Sequence, residues 1–210
     1  MNIEWSQIAD CISDQLGEEV NLKSSQAVSG GCINQAWQVT DQNKSIWFVK
    51  MNNPNRISMF EAELLGLQEI IKTQSIRAPK PLCTGQTSQH SFLVMEYLAF
   101  KGTPDAIKTG IQLANMHRHS QPTFGWHTDN TIGSTAQVNK HENNWIDFWK
   151  KHRLAFQLDL ALSKGLPRHN YDSGLALIEQ VGNFFEDYQP IASLLHGDLW
   201  GGNCSSDENG

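Results

Sequence analysis

A carboxylate and a carboxamide stand four residues apart near the end of this chain. They are Asp198 and Asn203, in the run Asp-Leu-Trp-Gly-Gly-Asn. A carboxylate can accept a proton from a hydroxyl group, and an amide oxygen is a ligand for a hard cation such as Mg²⁺. The same spacing occurs in loops that catalyse phosphoryl transfer. It is also typical of an Asx-rich turn after a strand, so the spacing alone leaves both interpretations open.

Phosphoryl transfer also needs a lysine on the phosphates and a carboxylate that holds this lysine. Lys50 follows the apolar run Ile-Trp-Phe-Val and is expected at the end of a strand. A helix is predicted at 59–72, and we interpret Ser58 and Glu61 as its capping box. Glu63 lies beside the apolar stripe of this helix, so it is the predicted partner of Lys50. An ordinary strand-end lysine and a solvated helix carboxylate are the alternatives.

A glycine-rich segment precedes Lys50 and is the predicted phosphate cover. Gly30 and Gly31 would let backbone N–H groups approach phosphate oxygens, although a plain hairpin turn fits the same residues. Cys32 follows them, and phosphate-binding amides would stabilise its thiolate. We therefore hypothesise that oxidation of Cys32 blocks nucleotide binding; the alternative is a small strand residue.

Other residues are expected to bind a nucleotide base or a substrate. A connector after the strand at 91–97 would contact adenine through its backbone, at Met95, Glu96, Tyr97 and Leu98. Trp200 is predicted either to stack on the substrate or to pack under the loop. His196 is expected to brace the loop by a hydrogen bond.

The run His-Gly-Asp-Leu-Trp-Gly-Gly-Asn, residues 196–203, follows an apolar stretch that we predict as a strand. It resembles the loop of aminoglycoside phosphotransferase-like kinases, and its Leu-Trp is similar to the fructosamine and ketosamine kinase family. Three further segments support this resemblance, at 124–127, 137–139 and 152–160. It covers the chain from about residue 5 to its end.

The resemblance implies an ATP- and Mg²⁺-dependent kinase that phosphorylates a sugar hydroxyl of ketosamines, a step in protein deglycation. Asp198 would be the catalytic base, Asn203 a metal ligand, and Trp200 and His196 substrate residues. Lys50, Glu63, the glycine segment and the connector would bind ATP.

A second metal carboxylate is part of kinase chemistry. The resemblance places it on the strand after the catalytic loop, whereas this chain ends at residue 210. Asp207 is expected in a turn, so it is a poor substitute. The sequence therefore predicts a truncated chain that is weak or inactive as a catalyst.

Strand patterns dominate the first half of the chain and helical patterns the second. One helix is predicted from about residue 6 to Gly17, and another from Thr103, with Ile107 and Ile111 on its buried side. A long helix is expected at about 145–163 and a last one around 175–185. This order predicts an α+β fold with two lobes, and the resemblance makes it protein-kinase-like. Residues 1–97 would form the nucleotide-binding lobe and 98–210 a partial helical lobe with the catalytic loop.

The composition excludes several other classes of protein. The net charge is −6 and the basic residues form no cluster, which argues against nucleic acid as a partner. No apolar run is long enough for a membrane helix. The four cysteines form no CxxC pair, so neither a zinc site nor a disulfide framework is indicated. We expect a cytoplasmic protein that is a monomer or a weak dimer.

Two alternatives to ketosamine phosphorylation remain. One is a related small-molecule kinase that acts on choline, homoserine or an aminoglycoside. The other is a non-catalytic pseudokinase that binds nucleotide without phosphate transfer. Nucleotide calorimetry combined with a turnover assay distinguishes them.

Overall fold

A computed structural model describes residues 3–28 and 33–207 of the chain. The first element, α1, spans Trp5–Leu16 and buries Ile8 and Ile12 completely. It ends at Gly17, whose φ of 70° lies in the left-handed region that glycine adopts without strain. The predicted helix and its glycine stop are therefore confirmed.

An antiparallel sheet follows α1. Its strands, in the part of the chain that the structure describes, are β1 (Leu22–Val28), β2 (Gln35–Asp41), β3 (Ile46–Asn52), β4 (Pro81–Gln86) and β5 (Ser91–Glu96), in the order β1-β2-β3-β5-β4. The hairpin between β2 and β3 is confirmed at 41–45, where Asp41 accepts hydrogen bonds from the backbone N–H groups of Asn43 and Ser45. The sequence did not predict β1, because only Leu22, Ala27 and Val28 in it are apolar.

Helices cover both faces of this sheet. Neighbouring side chains of a strand point to opposite faces, so each strand can contribute to both cores. In β5, Phe92 and Val94 pack in the cluster that contains Ile8 and Ile12 of α1. Leu93 and Met95 pack instead against Phe60 of the helix α2, which spans Ile57–Lys72. A strand that is buried on both faces needs an almost unbroken apolar sequence, which explains the run in β5.

The predicted capping box of α2 is wrong. A 3₁₀ turn over Pro54–Arg56 leads directly into the helix, so Ser58 already lies in its first turn. Proline at the start of this turn fixes a helical φ, and the helix therefore begins before Ser58.

The next helix, α3, spans Ala106–His117 and begins later than predicted. Asp105 caps it, because its Oδ1 accepts hydrogen bonds from the N–H groups of Ile107 and Lys108 at 2.9 and 3.0 Å. The predicted buried face is also wrong, since Ile107 and Ile111 are 77% and 58% exposed whereas Met116 is fully buried. The helix carries apolar residues on two faces, and the Met116 face is the one that packs.

Helices dominate the region after α3. A two-stranded hairpin, β6 (Asn130–Ile132) and β7 (Thr135–Gln137), precedes them. The predicted long helix is present as α4 (Trp145–Trp149), a π-helical segment (Lys150–Ala155) and α5 (Phe156–Ser163). The last predicted helix is α6 (Arg168–Gln180), continued by a 3₁₀ turn. The sequence did not indicate the π-helical segment.

The apolar stretch before the catalytic motif is not the strand that we predicted. Residues 191–195 form only an isolated bridge, between Ser193 and Ser120. Two backbone hydrogen bonds flank it, from Gln121 N–H to Ala192 O at 2.9 Å and from Leu194 N–H to His119 O at 2.9 Å. The pairing is too short for a regular strand.

The chain divides into two compact units. One contains residues 1–117 and 195–210, and the other contains residues 118–194. The predicted α+β class is confirmed, because the first unit holds the five-stranded sheet and the second is mainly helical. The predicted functional boundary at residues 97 and 98 stays a prediction. Within the described ranges, no helix is long and apolar enough to cross a membrane.

Candidate active site

Lys50 and Glu63 meet on the α2 face of the sheet. In β3, Val49 and Met51 pack in the α1 cluster, so Lys50 between them projects toward α2. On α2, Glu63 lies three residues after the fully buried Phe60, on the same side of the helix. Lys50 Nζ lies 2.5 Å from Glu63 Oε1, and the side chains are 30% and 28% exposed. The ammonium group is thus held in place but still reachable from solvent.

The strand register fixes how far Lys50 is from the predicted connector. Lys50 pairs with Leu93 of β5, and Glu96 lies three residues further along that strand. Three residues of a strand span about 10 Å. The connector therefore begins about 10 Å along the sheet from the residue that pairs with Lys50.

The connector is fixed by its own ion pair and backbone bonds. Arg77 Nη2 lies 2.5 Å from Glu96 Oε1, and the N–H of Lys80 donates to Glu96 Oε2 at 3.2 Å. The N–H of Glu96 also donates to the carbonyl of Lys80 at 2.8 Å. The remaining connector residues are one buried methionine and two partly exposed side chains, Met95, Tyr97 and Leu98. Glu96 is thus occupied in holding the connector.

Residues 196–203 close into a tight loop. The Nδ2 of Asn203 donates to the backbone oxygen of Asp198 at 2.8 Å and to its Oδ2 at 3.2 Å. The N–H of Asn203 donates to the carbonyl of Trp200 at 2.8 Å. Gly197 has φ of 84°, a left-handed conformation that glycine favours. The structure therefore brings together the carboxylate and the carboxamide that the spacing predicted.

His196 braces this loop from inside. Its Nδ1 accepts a hydrogen bond from the N–H of Asp198 at 3.3 Å, which requires Nδ1 to be unprotonated. Burial lowers the pKa of His196, Asp198 opposes this effect, and His117 adds to it. A neutral imidazole is thus favoured, and it suits the predicted bracing role.

Trp200 lies on the outside of the loop. Trp200 is 56% exposed, and its two predicted roles, stacking on a substrate and packing under the loop, stay predictions. Its ring lies against Gly202, where any added Cβ atom would collide with the ring. Glycine at 202 therefore leaves room for the Trp200 ring beside the loop backbone.

The segment after the loop binds back to the sheet-containing unit. The N–H of Lys101 donates to the carbonyl of Ser206 at 2.7 Å. Ser206 Oγ donates to the carbonyl of Thr103 at 3.0 Å. Arg77 Nε, from the guanidinium that pairs with the connector carboxylate, lies 3.8 Å from Asp207 Oδ2. No local sequence pattern indicates this link, because Arg77 and Asp207 are 130 positions apart.

The predicted glycine cover, with Gly30, Gly31 and Cys32, lies outside the described residues. Beside it, Asn52 Nδ2 at the end of β3 donates to Asn34 Oδ1 at 2.7 Å. This bond holds the start of β2 close to the strand that carries Lys50.

The loop oxygens suit a hard cation. Asp198 and Asn203 are exposed and offer carboxylate and amide oxygens, which are ligands that Mg²⁺ binds. No group of three His, Cys, Asp or Glu side chains forms a metal-ligand set among residues 3–28 and 33–207. The predicted ligand Asn203 would therefore hold a metal only together with other oxygen ligands, such as phosphate or water.

The comparison with protein families settles what kind of chain this is. Residues 4–210 match the family model described as fructosamine kinase. The chain belongs to the fructosamine kinase family. The family suggested by the loop at residues 196–203 is thereby confirmed, and the chain is a member of a kinase family.

Named relatives of this family come from bacteria and plants. A Synechocystis protein named probable ketoamine kinase is 41% identical over 202 residues, which cover 95% of this chain and 67% of that protein. A rice protein (subspecies japonica) named protein-ribulosamine 3-kinase, chloroplastic, is 42% identical over 200 residues, covering 92% of this chain and 58% of that protein. The chain thus spans about three fifths to two thirds of these relatives' lengths.

A solved structure confirms the fold. The crystal structure of a Haemophilus somnus 129PT protein with a provisional fructosamine-3-kinase name superimposes with a TM-score of 0.87 at 28% identity. The match covers 97% of this chain and 69% of that one. The predicted protein-kinase-like fold is therefore confirmed.

Family segments in residues 118–194 form a separate hydrogen-bonded brace. Arg153, in the π-helical segment, donates to the carbonyl of Val138 at 2.6 Å and to Asn139 Oδ1 at 2.7 Å. Asn139 is 3% exposed, and its N–H donates to Asp129 Oδ1 at 2.7 Å. Burial lowers the pKa of Arg153 and Asp129 counteracts it, while the arginine remains charged. The sequence analysis used these segments only as signs of the family resemblance. In the structure they stabilise the loop at 124–142.

Proposed function

We propose that this protein phosphorylates a sugar hydroxyl of ketosamines, with ATP as the phosphate donor. The observation that carries the proposal is the presence of two paired groups in one compact unit, Lys50 with Glu63 and Asp198 with Asn203. Phosphoryl transfer needs both, the first on the phosphates and the second at the acceptor. The relatives named ketoamine kinase and protein-ribulosamine 3-kinase support the choice of acceptor.

The nucleotide half of the proposal uses residues of the sheet. Backbone groups at Tyr97 and Leu98 bind adenine, while Glu96 is held by Arg77. Lys50 contacts the α- and β-phosphates, and Glu63 keeps its ammonium group in position. Gly30, Gly31 and Cys32 cover the phosphates in this proposal.

The acceptor half uses the loop. Asp198 accepts the proton of the substrate hydroxyl, whose oxygen bonds to the γ-phosphorus. The bond from that phosphorus to the bridging oxygen breaks, and ADP leaves. Bound Mg²⁺ would neutralise phosphate charge in this reaction, and Asn203 would be one of its ligands. His196 keeps the backbone of Asp198 in place through its neutral Nδ1.

Substrate recognition in this proposal rests on Trp200. Its exposed indole offers a flat apolar face to the sugar or amine part of a ketosamine. Phosphate is a better leaving group than hydroxide, so the phosphorylated adduct can break down and free the amine. The reaction thus amounts to deglycation of small amines or protein lysines. We place it in a reducing cytoplasm, which the free thiols of Cys11, Cys83 and Cys204 support.

Calorimetry with Mg-ATP tests the nucleotide half. We expect Lys50→Met to weaken binding by about tenfold or more, because it removes a charge-assisted contact to phosphate. Lys164→Met is the matched control, since Lys164 is exposed in the other compact unit. Equal affinities of parent and Lys50→Met would contradict the proposed role of Lys50.

A turnover assay tests the acceptor half. ATP consumption is measured with ribulosamine- and fructosamine-type substrates, and with choline and an aminoglycoside for comparison. Asp198→Asn should lower ketosamine turnover by about 10²- to 10⁴-fold. Asp172→Asn is the control and should leave turnover unchanged, because Asp172 belongs to an exposed ion pair with Arg168. Preference for choline or the aminoglycoside would favour a related kinase, and nucleotide binding without any transfer would favour a pseudokinase.

A further inference from the structure

Two cysteines from distant parts of the sequence lie in one cluster of the sheet-containing unit. Cys11 is on α1 and Cys83 is on β4, and α1 packs on β4. Cys83 is 5% exposed and belongs to the core cluster, and Cys11 packs against that same cluster while partly exposed. The site lies outside the proposed kinase residues.

A hydrogen bond connects Cys11 to the strand that carries Cys83. The Cys11 thiol donates to the carbonyl of Thr84, the neighbour of Cys83, over 3.7 Å. Both residues also belong to one apolar region, with Cys83 inside the core cluster and Cys11 packed against it. Among the cysteines that the structure describes, Cys83 is therefore the one that shares a cluster with Cys11.

The two sulfurs differ in acidity. The hydrogen bond from Cys83 lowers the pKa of Cys11, against the opposing effects of burial and of Asp14. The same hydrogen bond, together with burial, raises the pKa of Cys83. Because the thiolate is the nucleophilic form, the partly exposed Cys11 is the attacking sulfur and Cys83 the resolving one.

We infer that Cys11 and Cys83 form a peroxide-sensitive dithiol that closes to an intramolecular disulfide. The Cys11 thiolate attacks one oxygen of the peroxide, the O–O bond breaks, and hydroxide leaves as water after taking a proton. Cys11 is then a sulfenic acid. The sulfur of Cys83 attacks the Cys11 sulfur, the S–O bond breaks, and the departing hydroxide takes the Cys83 proton. Two thiols and one hydrogen peroxide thus give one disulfide and two waters.

The disulfide would tie the first helix to the strand β4. It would close a loop that contains β1, β2, β3 and α2, and hence both Lys50 and Glu63. A cross-link over a loop of this length restricts the unfolded chain, so the oxidised protein is the more heat-stable form. We expect oxidation to raise its thermal midpoint by at least about 5 °C.

Peptide mapping of the 210-residue chain tests the pairing. The reduced protein is treated with stoichiometric hydrogen peroxide, alkylated and digested without reductant. A Cys11–Cys83 cross-linked peptide, formed together with the rise in thermal midpoint, supports the inference. A cross-link from Cys11 to Cys32 or Cys204 overturns the inference. So does peroxide consumption that leaves Cys83 as a free thiol, which the alkylating reagent then labels.

Variants test the order of attack. Cys83→Ala should accumulate a sulfenic acid at Cys11 that dimedone traps, whereas Cys11→Ala should slow peroxide consumption by about tenfold. Cys204→Ala is the matched control and should leave the cross-link unchanged. Because Cys83 is buried, circular dichroism of each reduced variant checks that the variant is folded. If Cys83→Ala does not fold, Cys11→Ala, at the more exposed position, tests the order of attack by itself. If Cys11→Ala consumed peroxide at the rate of the parent protein and formed a dimedone adduct on Cys83, Cys11 would not be the attacking thiol.

Discussion

At the scale of single residues, Glu63 is expected to matter more for nucleotide binding than for stability. Its ion pair with Lys50 is about 30% exposed, and pairs that accessible contribute below about 1 kcal/mol to folding. Glu63→Gln should therefore change the free energy of unfolding by less than about 1 kcal/mol, yet raise the KM for ATP about tenfold by freeing Lys50. Urea unfolding and steady-state kinetics measure the two effects.

Glu61 supplies the control for this prediction. It is an exposed carboxylate on the same helix, so Glu61→Gln makes the same chemical change away from Lys50. An equal rise in KM for the two variants would show that helix charge, and not the contact with Lys50, causes the effect.

His196 makes the stability of the protein depend on pH in a defined direction. Burial lowers its pKa below the ordinary value of 6.5, so the unfolded chain binds the proton more readily than the folded one. Stability should therefore fall as pH drops through 6.5 toward the lowered pKa, and the loss is complete below that pKa. His196→Asn, which offers a non-titrating acceptor, should flatten this dependence in urea unfolding between pH 7 and about 5.

The exposed His169 provides the comparison for that experiment. His169→Asn should keep the pH dependence of the parent protein. A pH slope in His196→Asn equal to that of the parent would rule out His196 as its source.

Sequence reasoning could place Glu63 on the sheet side of its helix, because the stripe through Phe60 gives the face of that helix. The direction of Lys50 was less visible, because the run before it is apolar at every position and shows no alternation. The Cys11 and Cys83 pair was not visible, because it depends on α1 packing on β4, a tertiary contact that no local pattern encodes.

At the scale of elements, local signals failed where two of them competed. Ser58 and Glu61 fit a capping box, but Pro54 starts a helical turn earlier and takes over the initiation of α2. In α3, Ile107 and Ile111 form a helical stripe as regular as the packed one, and the sequence alone cannot rank two apolar faces. The existence of both helices was predictable, whereas their starts and the orientation of α3 were not.

The loop before α4 depends on one glycine. Gly125 has φ of 112°, and a Cβ atom there would lie 2.6 Å from the backbone oxygen of Asn139. Gly125→Ala should therefore destabilise the protein by more than about 2 kcal/mol, since it adds both strain and a backbone collision. Chemical denaturation measures the loss.

A glycine without crowding gives the contrast for Gly125. Gly110 lies inside α3, and an added Cβ would meet nothing within 4 Å. Gly110→Ala should stabilise the protein by up to about 1 kcal/mol, because alanine is the better helix former. Similar losses in both variants would contradict the close approach at Gly125.

At the scale of the whole molecule, chain order and spatial grouping differ. Residues 195–207 group with residues 3–117, although the segment 118–194 separates them in sequence. The loop with Asp198 is thereby grouped in the same unit as Lys50. The predicted weak turnover of these 210 residues and the predicted monomer or weak dimer stay predictions, which kinetic assays and light scattering address.

Arg77 should control how firmly the segment after the loop is held. Its guanidinium lies between Glu96 and Asp207, so Arg77→Met leaves two carboxylates without the cation they share. Arg77 is 46% exposed, so the loss should amount to about 1 kcal/mol. A loss of that size increases local opening about fivefold, which hydrogen exchange detects at the N–H of Lys101, bonded to the carbonyl of Ser206. Arg168→Met is the control, because it breaks an exposed ion pair in the other unit and should leave the exchange of the Lys101 N–H unchanged. If Arg77→Met also left that exchange unchanged, the backbone hydrogen bonds alone would hold the segment.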